Sequence, residues 1–120
     1  MFRKVLKWHL LLPLEELNNW PPNGLKRASI KGKALCIAKR QNQYFALANK
    51  CPHAGADLST GWLNTKEEIV CPLHRFTFHC GSGENTSGHG FYLENYPTEL
   101  RSDGLWLGLH QWAWPWDQSS

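Results

Sequence analysis

Two short segments of the sequence place a cysteine next to a histidine. The first begins at Cys51 and reaches His53 through one proline, and the second begins at Cys71 and reaches His74 through a proline and a leucine. Each segment offers one thiolate sulfur and one imidazole nitrogen, which are both ligands for transition metals. Because the proline after each cysteine fixes φ and removes a backbone donor, the sequence predicts two stiff loops shaped to hold a metal centre.

Four ligands of these types suit two kinds of site. A single tetrahedral zinc ion takes two cysteines and two histidines, whereas a 2Fe-2S cluster can be held by two thiolates on one iron and two imidazoles on the other. Zinc fingers usually pair cysteine with cysteine and histidine with histidine around a short helix. Here each loop pairs unlike ligands among predicted strands. The pattern therefore favours the cluster, with zinc as the alternative.

The two loops resemble those of the Rieske 2Fe-2S family. The resemblance covers residues 51–61 (CPHAGADLSTG), residues 71–78 (CPLHRFTF) and the Gly-Glu pair at 83–84, in the family's order, and the chain can be read against it over roughly residues 26–109. It implies one 2Fe-2S cluster per chain, with one iron held by Cys51 and Cys71. The outer iron, near the surface, would be held by His53 and His74.

The chain departs from the high-potential members of that family near the expected cluster. Ala56 stands where those proteins carry a third cysteine, which forms a disulfide with the second loop, and Phe76 and Phe78 replace a serine and a tyrosine hydroxyl. Hydrogen bonds to the cluster sulfurs raise the potential, so their loss lowers it. The resemblance therefore implies the ferredoxin-like branch without a loop disulfide. We expect a potential near the low end of the Rieske range, about −150 mV.

Two further departures concern the shape of the loops. Arg75 follows the second histidine, where the family usually has glycine, so we expect either a negative φ or a strained backbone at that residue. The third, often Pro-containing loop that covers the cluster in relatives is replaced by residues 86–90 (TSGHG). This replacement makes His89 a candidate neighbour of the cluster.

Short strands separated by turn residues fill the rest of the chain. The candidates are 2–8, 26–30, 33–38, 44–47, 68–71, 76–79, 92–96 and 105–109, while 13–17 reads as one helical turn. The spacing predicts an all-β sandwich or barrel, and 33–47 reads as a hairpin. The Rieske resemblance implies an antiparallel β sandwich with a two-loop tip. We expect a single domain over residues 1–120.

Composition narrows the possible partners and the compartment. The net charge of +3, from 13 Lys and Arg against 10 Asp and Glu, is too small and scattered to indicate nucleic acid. No stretch of about 18 apolar residues predicts a membrane span. The charged start of the chain does not resemble an export signal, and cytoplasmic thiols stay reduced. We therefore expect a cytoplasmic protein without disulfides.

Other residues with chemical potential are better explained by packing. Cys36 and Cys80 read as buried thiols, and Trp62 is expected to pack under the first loop. Three histidines lack any paired ligand spacing, and three tryptophans near the end alternate at strand period. These are His9, His79 and His110, and Trp112, Trp114 and Trp116. The tryptophans favour packing on their own domain, with partner docking as the alternative.

The function implied by the resemblance is that of a Rieske-type ferredoxin. Such a protein carries one electron at a time from a reductase to a terminal oxygenase or similar redox enzyme. No substrate site is expected, because the oxygenase relatives build theirs from two histidines and a carboxylate in a second domain. Two alternatives are a small relay subunit of a nitrite-reductase-like complex, and a metal-stabilised or redox-sensing binding module.

Overall fold

Strands and turns make up nearly all of the computed structural model, which describes residues 3–53 and 55–113. The strands are β1 (Arg3–Pro13), β2 (Leu25–Ile30), β3 (Lys33–Arg40), β4 (Gln43–Ala48), β5 (Trp62–Leu63), β6 (Glu68–Val70), β7 (Thr77–His79), β8 (Asn95–Tyr96), β9 (Thr98–Arg101) and β10 (Gly104–Ala113). Two 3-10 turns lie at Leu14–Leu17 and Leu58–Thr60. Among the described residues, no helix is long and apolar enough to cross a membrane. The all-β prediction is confirmed.

The strands form three antiparallel sheets. Their orders are β1-β10-β9, β2-β3-β4-β8 and β5-β6-β7. The β1–β10 ladder runs from the pair Arg3 and Ala113 to the pair Pro13 and Gly104, with one shift of register on the way. The third sheet is much smaller, and the two predicted metal loops adjoin it. We call the first two sheets the base, and the third sheet with its loops the tip.

The central strand β3 separates two hydrophobic cores. Its side chains alternate across the sheet, so Cys36 faces one core while Leu35 and Ile37 face the other. The tip core also contains Cys51 and Cys71, together with phenylalanines and leucines of the loops. The base core is formed mainly by leucines of β1, β3 and β10. The tip is therefore packed against one face of the second sheet.

The predicted hairpin is present, and a tight turn precedes it. β3 pairs with β4 from the pair Leu35 and Ala48 to the pair Arg40 and Gln43, as the prediction over residues 33–47 requires. The preceding β2–β3 turn has positive φ at Lys31 and Gly32, the backbone shape that suits a two-residue hairpin.

Several sequence predictions differ from the structure in extent. The strand predicted at 92–96 begins only at residue 95, β5 and β9 were not predicted, and β1 continues to residue 13. Trp112 is 69% exposed, so its expected packing is wrong, whereas Trp62 is 39% exposed and only partly covered. Trp112 instead lies near the ammonium group of Lys4 on the neighbouring strand. Trp114 and Trp116 lie outside the described residues.

Candidate metal centre

The two predicted sulfur ligands lie together in the tip core. Cys51 is 1% exposed and Cys71 is fully buried, and their thiols are close enough to interact. Burial raises the pKa of the Cys71 thiol, since the low dielectric disfavours the thiolate. A bound metal overcomes that cost, because a coordinating thiol is deprotonated outright. Cys71 is thus held as a neutral thiol that a metal would convert into a thiolate.

The two predicted nitrogen ligands lie together at the surface. His53 and His74 are both exposed, their ring centroids are 5.4 Å apart, and their planes meet at 73°. Each imidazole is only two or three residues from a buried cysteine of its own loop. The structure therefore brings all four candidates to the tip, as a buried pair of sulfurs and an exposed pair of imidazoles.

This donor set fits a cluster of two metals. The described residues contain no group of three or more His, Cys, Asp or Glu side chains placed to hold one metal ion. A Rieske cluster instead takes two sulfurs on one iron and two nitrogens on the other. The like-with-like pairs of the tip match that requirement in number, in type and in depth.

Backbone hydrogen bonds close the first loop around Cys51. Its amide donates to the carbonyl of Ala56 (2.9 Å), and its own carbonyl accepts from the amide of Gly55 (2.8 Å). Gly55 has φ of 70°, a conformation that glycine adopts at little cost. Asn49, which is 2% exposed, stabilises the C-terminal part of the loop, because its Oδ1 accepts a hydrogen bond from the Ser59 amide (3.0 Å).

Asn23 ties the first loop to the base. Its Nδ2 donates to the carbonyls of Ser59 (3.0 Å) and Gly61 (2.8 Å), and its Oδ1 accepts from the Leu25 amide. At Gly61 itself a Cβ would collide with the carbonyl of Val70 on β6. Sequence analysis missed Asn23, whose only local signal is its place after two prolines.

The second loop contains two left-handed residues in a row. The Cys71 amide donates to the Phe76 carbonyl (2.8 Å), so the chain must reverse between them. It does so with φ of 65° at His74 and 58° at Arg75. Of the two expectations for Arg75, the strained backbone is the one that occurs, since side chains with a Cβ disfavour this region.

The third loop brings His89 close to the ligands. The buried Asn85 organises this loop, because its Oδ1 accepts from the His89 amide (2.6 Å) and its Nδ2 donates to the Thr77 carbonyl (3.0 Å). The His89 ring stacks on Phe76 at 3.8 Å between centroids, and Phe76 stacks on His53 at 4.3 Å. His89 is thus separated from a predicted ligand by one ring.

Two other cysteines are buried thiols, and two other histidines lie in the base. All four cysteines are described and free of disulfides. Cys36 and Cys80 are buried, and burial raises the pKa of both thiols, to about 12 for Cys80. Such thiols stay protonated near neutral pH and act as small apolar groups. His9 and His110 lie on β1 and β10, in the base.

Known proteins resemble this chain in the sequence of its two loops and in its fold. The family model of the Rieske [2Fe-2S] domain matches residues 7–96, which include all four predicted ligands. The ferredoxin component of the naphthalene 1,2-dioxygenase system of Pseudomonas aeruginosa is 31% identical over 104 residues, covering 86% of this chain and 96% of that relative.

Two solved structures have a similar fold. The ferredoxin of carbazole 1,9a-dioxygenase from Nocardioides aromaticivorans IC177 superposes with a TM-score of 0.74 at 20% identity, over 84% of this chain and 96% of that one. A chain from the complex of reduced oxygenase and oxidized ferredoxin in carbazole 1,9a-dioxygenase gives a TM-score of 0.70 at 22% identity, over 83% and 91%.

Proposed function

This chain belongs to the Rieske [2Fe-2S] domain family, and we propose on that premise that it is a ferredoxin carrying single electrons from a reductase to a terminal oxygenase or a similar redox enzyme. The observation that carries the proposal is the depth of the donors: both thiols are buried, while both imidazoles are exposed at the surface. An electron carrier needs its centre close to the surface at one point and protected elsewhere. The tip meets both requirements.

We propose that Cys51 and Cys71 bind one iron and that His53 and His74 bind the other. The contact between the two thiols and the 5.4 Å separation of the two rings support this assignment. When bound, the cluster supplies reversible one-electron chemistry. The protein keeps the sulfur side dry and presents the imidazole side to a partner, since residues 51 and 71 belong to the tip core.

The exposed part of the second loop provides a small docking surface. Leu73 is 45% exposed and lies between Pro72 and His74, which are exposed as well. The exposed Arg75 adds a positive charge beside them. A surface made of these few exposed side chains suits the weak and short-lived encounters of redox proteins. We therefore propose that the reductase and the oxygenase bind here in turn, and not both at once.

A low potential is proposed from the side chains that replace the hydroxyl groups. Phe76 is 7% exposed and Phe78 is fully buried, and neither can donate a hydrogen bond. The hydroxyl between them, on Thr77, is engaged with the hydroxyl of Thr86 at 2.7 Å. Fewer hydrogen bonds to the sulfurs keep the reduced state less stable. This supports a midpoint near the low end of the range, at about −150 mV.

Two further proposals concern the chain as a whole. We propose that residues 1–120 form one Rieske-type domain, which is supported by the continuous packing of both cores on β3. We also propose a cytoplasmic location. Four free cysteines support it, because thiols persist in reducing compartments.

The function can be tested by an anaerobic reductive titration followed by mixing with an oxygenase. We expect one electron per chain, taken up and returned reversibly, and rapid oxidation by the terminal oxygenase of a naphthalene 1,2-dioxygenase system. The cluster-free Cys51→Ser variant is the control and should transfer nothing. A colourless zinc protein would contradict the proposal. Recovery of the chain only in a stable complex with a large subunit would instead favour the nitrite-reductase-like relay.

A further inference from the structure

We propose that His89 is a positioning residue for the metal centre: by stacking on Phe76 it holds that ring against the imidazole of His53 and keeps water from this side. The inference depends on the proposed function, because it concerns a ligand of the proposed cluster. His89 itself is not proposed as a ligand. It acts through Phe76, and its effect should appear in the properties of the bound centre.

Three rings form a nearly parallel stack. His53 and Phe76 are 4.3 Å apart between centroids and 21° from parallel, and Phe76 and His89 are 3.8 Å apart and 10° from parallel. Phe76 is 7% exposed although it lies in a loop at the surface. Its two faces are occupied by the two histidines, so removing either ring would open one face to water.

His89 is held firmly enough to serve this purpose. Its amide donates to Asn85 Oδ1 (2.6 Å), and its Nδ1 lies 3.0 Å from the hydroxyl of Ser87. The glycines on both sides, Gly88 and Gly90, have φ of 85° and 76°, which turn the chain sharply before and after the histidine. Backbone and side-chain contacts therefore both fix the ring over Phe76.

Phe91 also lies beside the His53 ring. Its centroid lies 6.0 Å from that of His53 and 6.0 Å from that of Phe76. His53 thus contacts two phenylalanines on one side, and among the residues that the structure describes only Phe76 is backed by a further histidine ring. The groups around a ligand imidazole set its orientation, so support of Phe76 by His89 reaches the ligand indirectly.

Phe76 and His89 act as a pair. The phenylalanine provides two flat apolar faces, one of which lies against the His53 ring. The third loop supplies a second flat ring that covers the other face. The pair therefore forms a cover on one side of the site, with the apolar ring of Phe76 next to His53.

The direction in which the midpoint potential should change follows from the net charge of the cluster and its ligands. With two thiolates, two neutral imidazoles and two sulfides, reduction takes the centre from neutral to one negative charge. Water stabilises the charged form more than an apolar cover does. Removing His89 should therefore raise the midpoint potential. It should also change the electron distribution at the nitrogen of His53, because the ring gains freedom to rotate.

The test compares three variants of the cluster-loaded protein. His89→Ala removes the ring, His89→Phe keeps the stack without the imidazole nitrogens, and Tyr92→Ala removes a 71% exposed aromatic from the same segment as a matched control. We measure the midpoint potential and the nitrogen couplings by electron–nuclear double resonance. For His89→Ala we expect a several-fold rise in the equilibrium constant for reduction, where tenfold corresponds to about 59 mV. His89→Phe should restore both readouts, and the control should change neither.

Other results would overturn the inference. If His89→Ala has the potential and the couplings of the wild type, or if His89→Phe behaves like His89→Ala, the stack does not position the ligand. Should His89→Ala not accumulate, Ser87→Ala loosens the third loop around the ring, because the Ser87 hydroxyl contacts His89 Nδ1 and also accepts from Asn85 Nδ2 and the Thr77 amide. This variant must shift both readouts in the same direction by a smaller amount. A wild-type protein without nitrogen couplings would contradict the proposed function itself, whereas wild-type couplings that do not change in His89→Ala would contradict this inference alone.

Discussion

The base and the tip of the molecule are stabilised by different means. In the base, β1 pairs with β10 over nearly their whole length, and the core between the sheets is made mainly of leucine and isoleucine side chains. In the tip, β5 has two residues and β6 and β7 have three each. Its loops are held by asparagine side chains and by single backbone hydrogen bonds.

The difference suggests that the base folds by burial, whereas the tip is completed by its cofactor. The tip core contains four cysteines, two of which are the proposed ligands, whereas the buried residues of the base core are leucine, isoleucine and alanine. Strained residues are also found at the ligands, since His74 and Arg75 have positive φ. Local stability varies within proteins, and metal binding contributes to folding where ligands converge. The base should therefore tolerate loss of the cluster, and the tip should not.

The largest expected difference between the base and the tip follows from removing one proposed ligand, Cys71. Cys71→Ser should abolish iron content and visible absorption, because hydroxyl oxygen does not replace thiolate on the cluster. Hydrogen exchange should then accelerate at β6 and β7 and stay slow at β1 and β10. Cys80→Ala removes a buried cysteine of the same core and should keep the cluster. Equal acceleration in base and tip would show that the two regions are not separable.

A core substitution in the base should give the opposite result. Leu107 is fully buried on β10, and Leu107→Ala should cost about 2–5 kcal/mol of unfolding free energy through lost burial and a cavity. The visible spectrum and the midpoint potential should stay those of the wild type. Urea denaturation and optical titration measure these quantities. A changed spectrum would mean that packing in the base reaches the site.

Relieving strain in the tip should have a smaller, stabilising effect. Arg75 has φ of 58°, and Arg75→Gly should gain up to about 1 kcal/mol, because the left-handed penalty exceeds the entropy that glycine loses. Thermal unfolding with the cluster bound measures the gain. Arg27→Gly, in the middle of strand β2, is the control and should destabilise. A loss of stability in Arg75→Gly would show that the arginine side chain makes contacts that outweigh the strain.

The smallest predicted effect concerns pH. A hydrogen bond from Asn64 to Glu68 (2.8 Å) holds the pKa of the Glu68 carboxyl below its usual range. The folded pKa is therefore below the unfolded value of about 4.3, so the stabilisation is present above that pH and is lost as pH falls through the folded pKa.

Glu68→Gln measures this contribution. The wild type should be more stable than the variant at pH 6.5 by less than about 1 kcal/mol. The difference in unfolding free energy should be smaller at pH 4.0. It is compared only in samples whose visible absorption shows that the cluster is still bound. A difference that is constant over this interval would show that the carboxylate adds nothing to the β5–β6 turn.

The four candidate ligands are easier to recognise in the sequence than the residues that support them. The paired cysteines and histidines carry a local pattern, and the β3–β4 hairpin has an alternating pattern with a polar turn. These features depend on neighbours in sequence. For the same reason the family resemblance, which covers both loops, indicated the fold and the electron-carrying role.

The parts that were missed depend on distant contacts. Asn23 bonds to residues 36 and 38 positions away, so no local pattern indicates its role. The departure at Arg75 was visible, but its positive φ follows from the closing hydrogen bond between Cys71 and Phe76. Trp62 lies on a two-residue strand whose outer face is open, which its apolar character did not reveal.

The most direct test of the account is the spin-resonance spectrum of the reduced protein, prepared with and without nitrogen-15 in its histidines. The central claim is that two cysteines and two histidines at the tip hold a 2Fe-2S cluster. It predicts a spin one-half signal with couplings from two histidine nitrogens. Both the signal and the couplings should be absent from the Cys71→Ser variant, because that variant holds no cluster. A signal without nitrogen couplings, as from four cysteine ligands, or a protein that contains zinc and gives no signal, would contradict it.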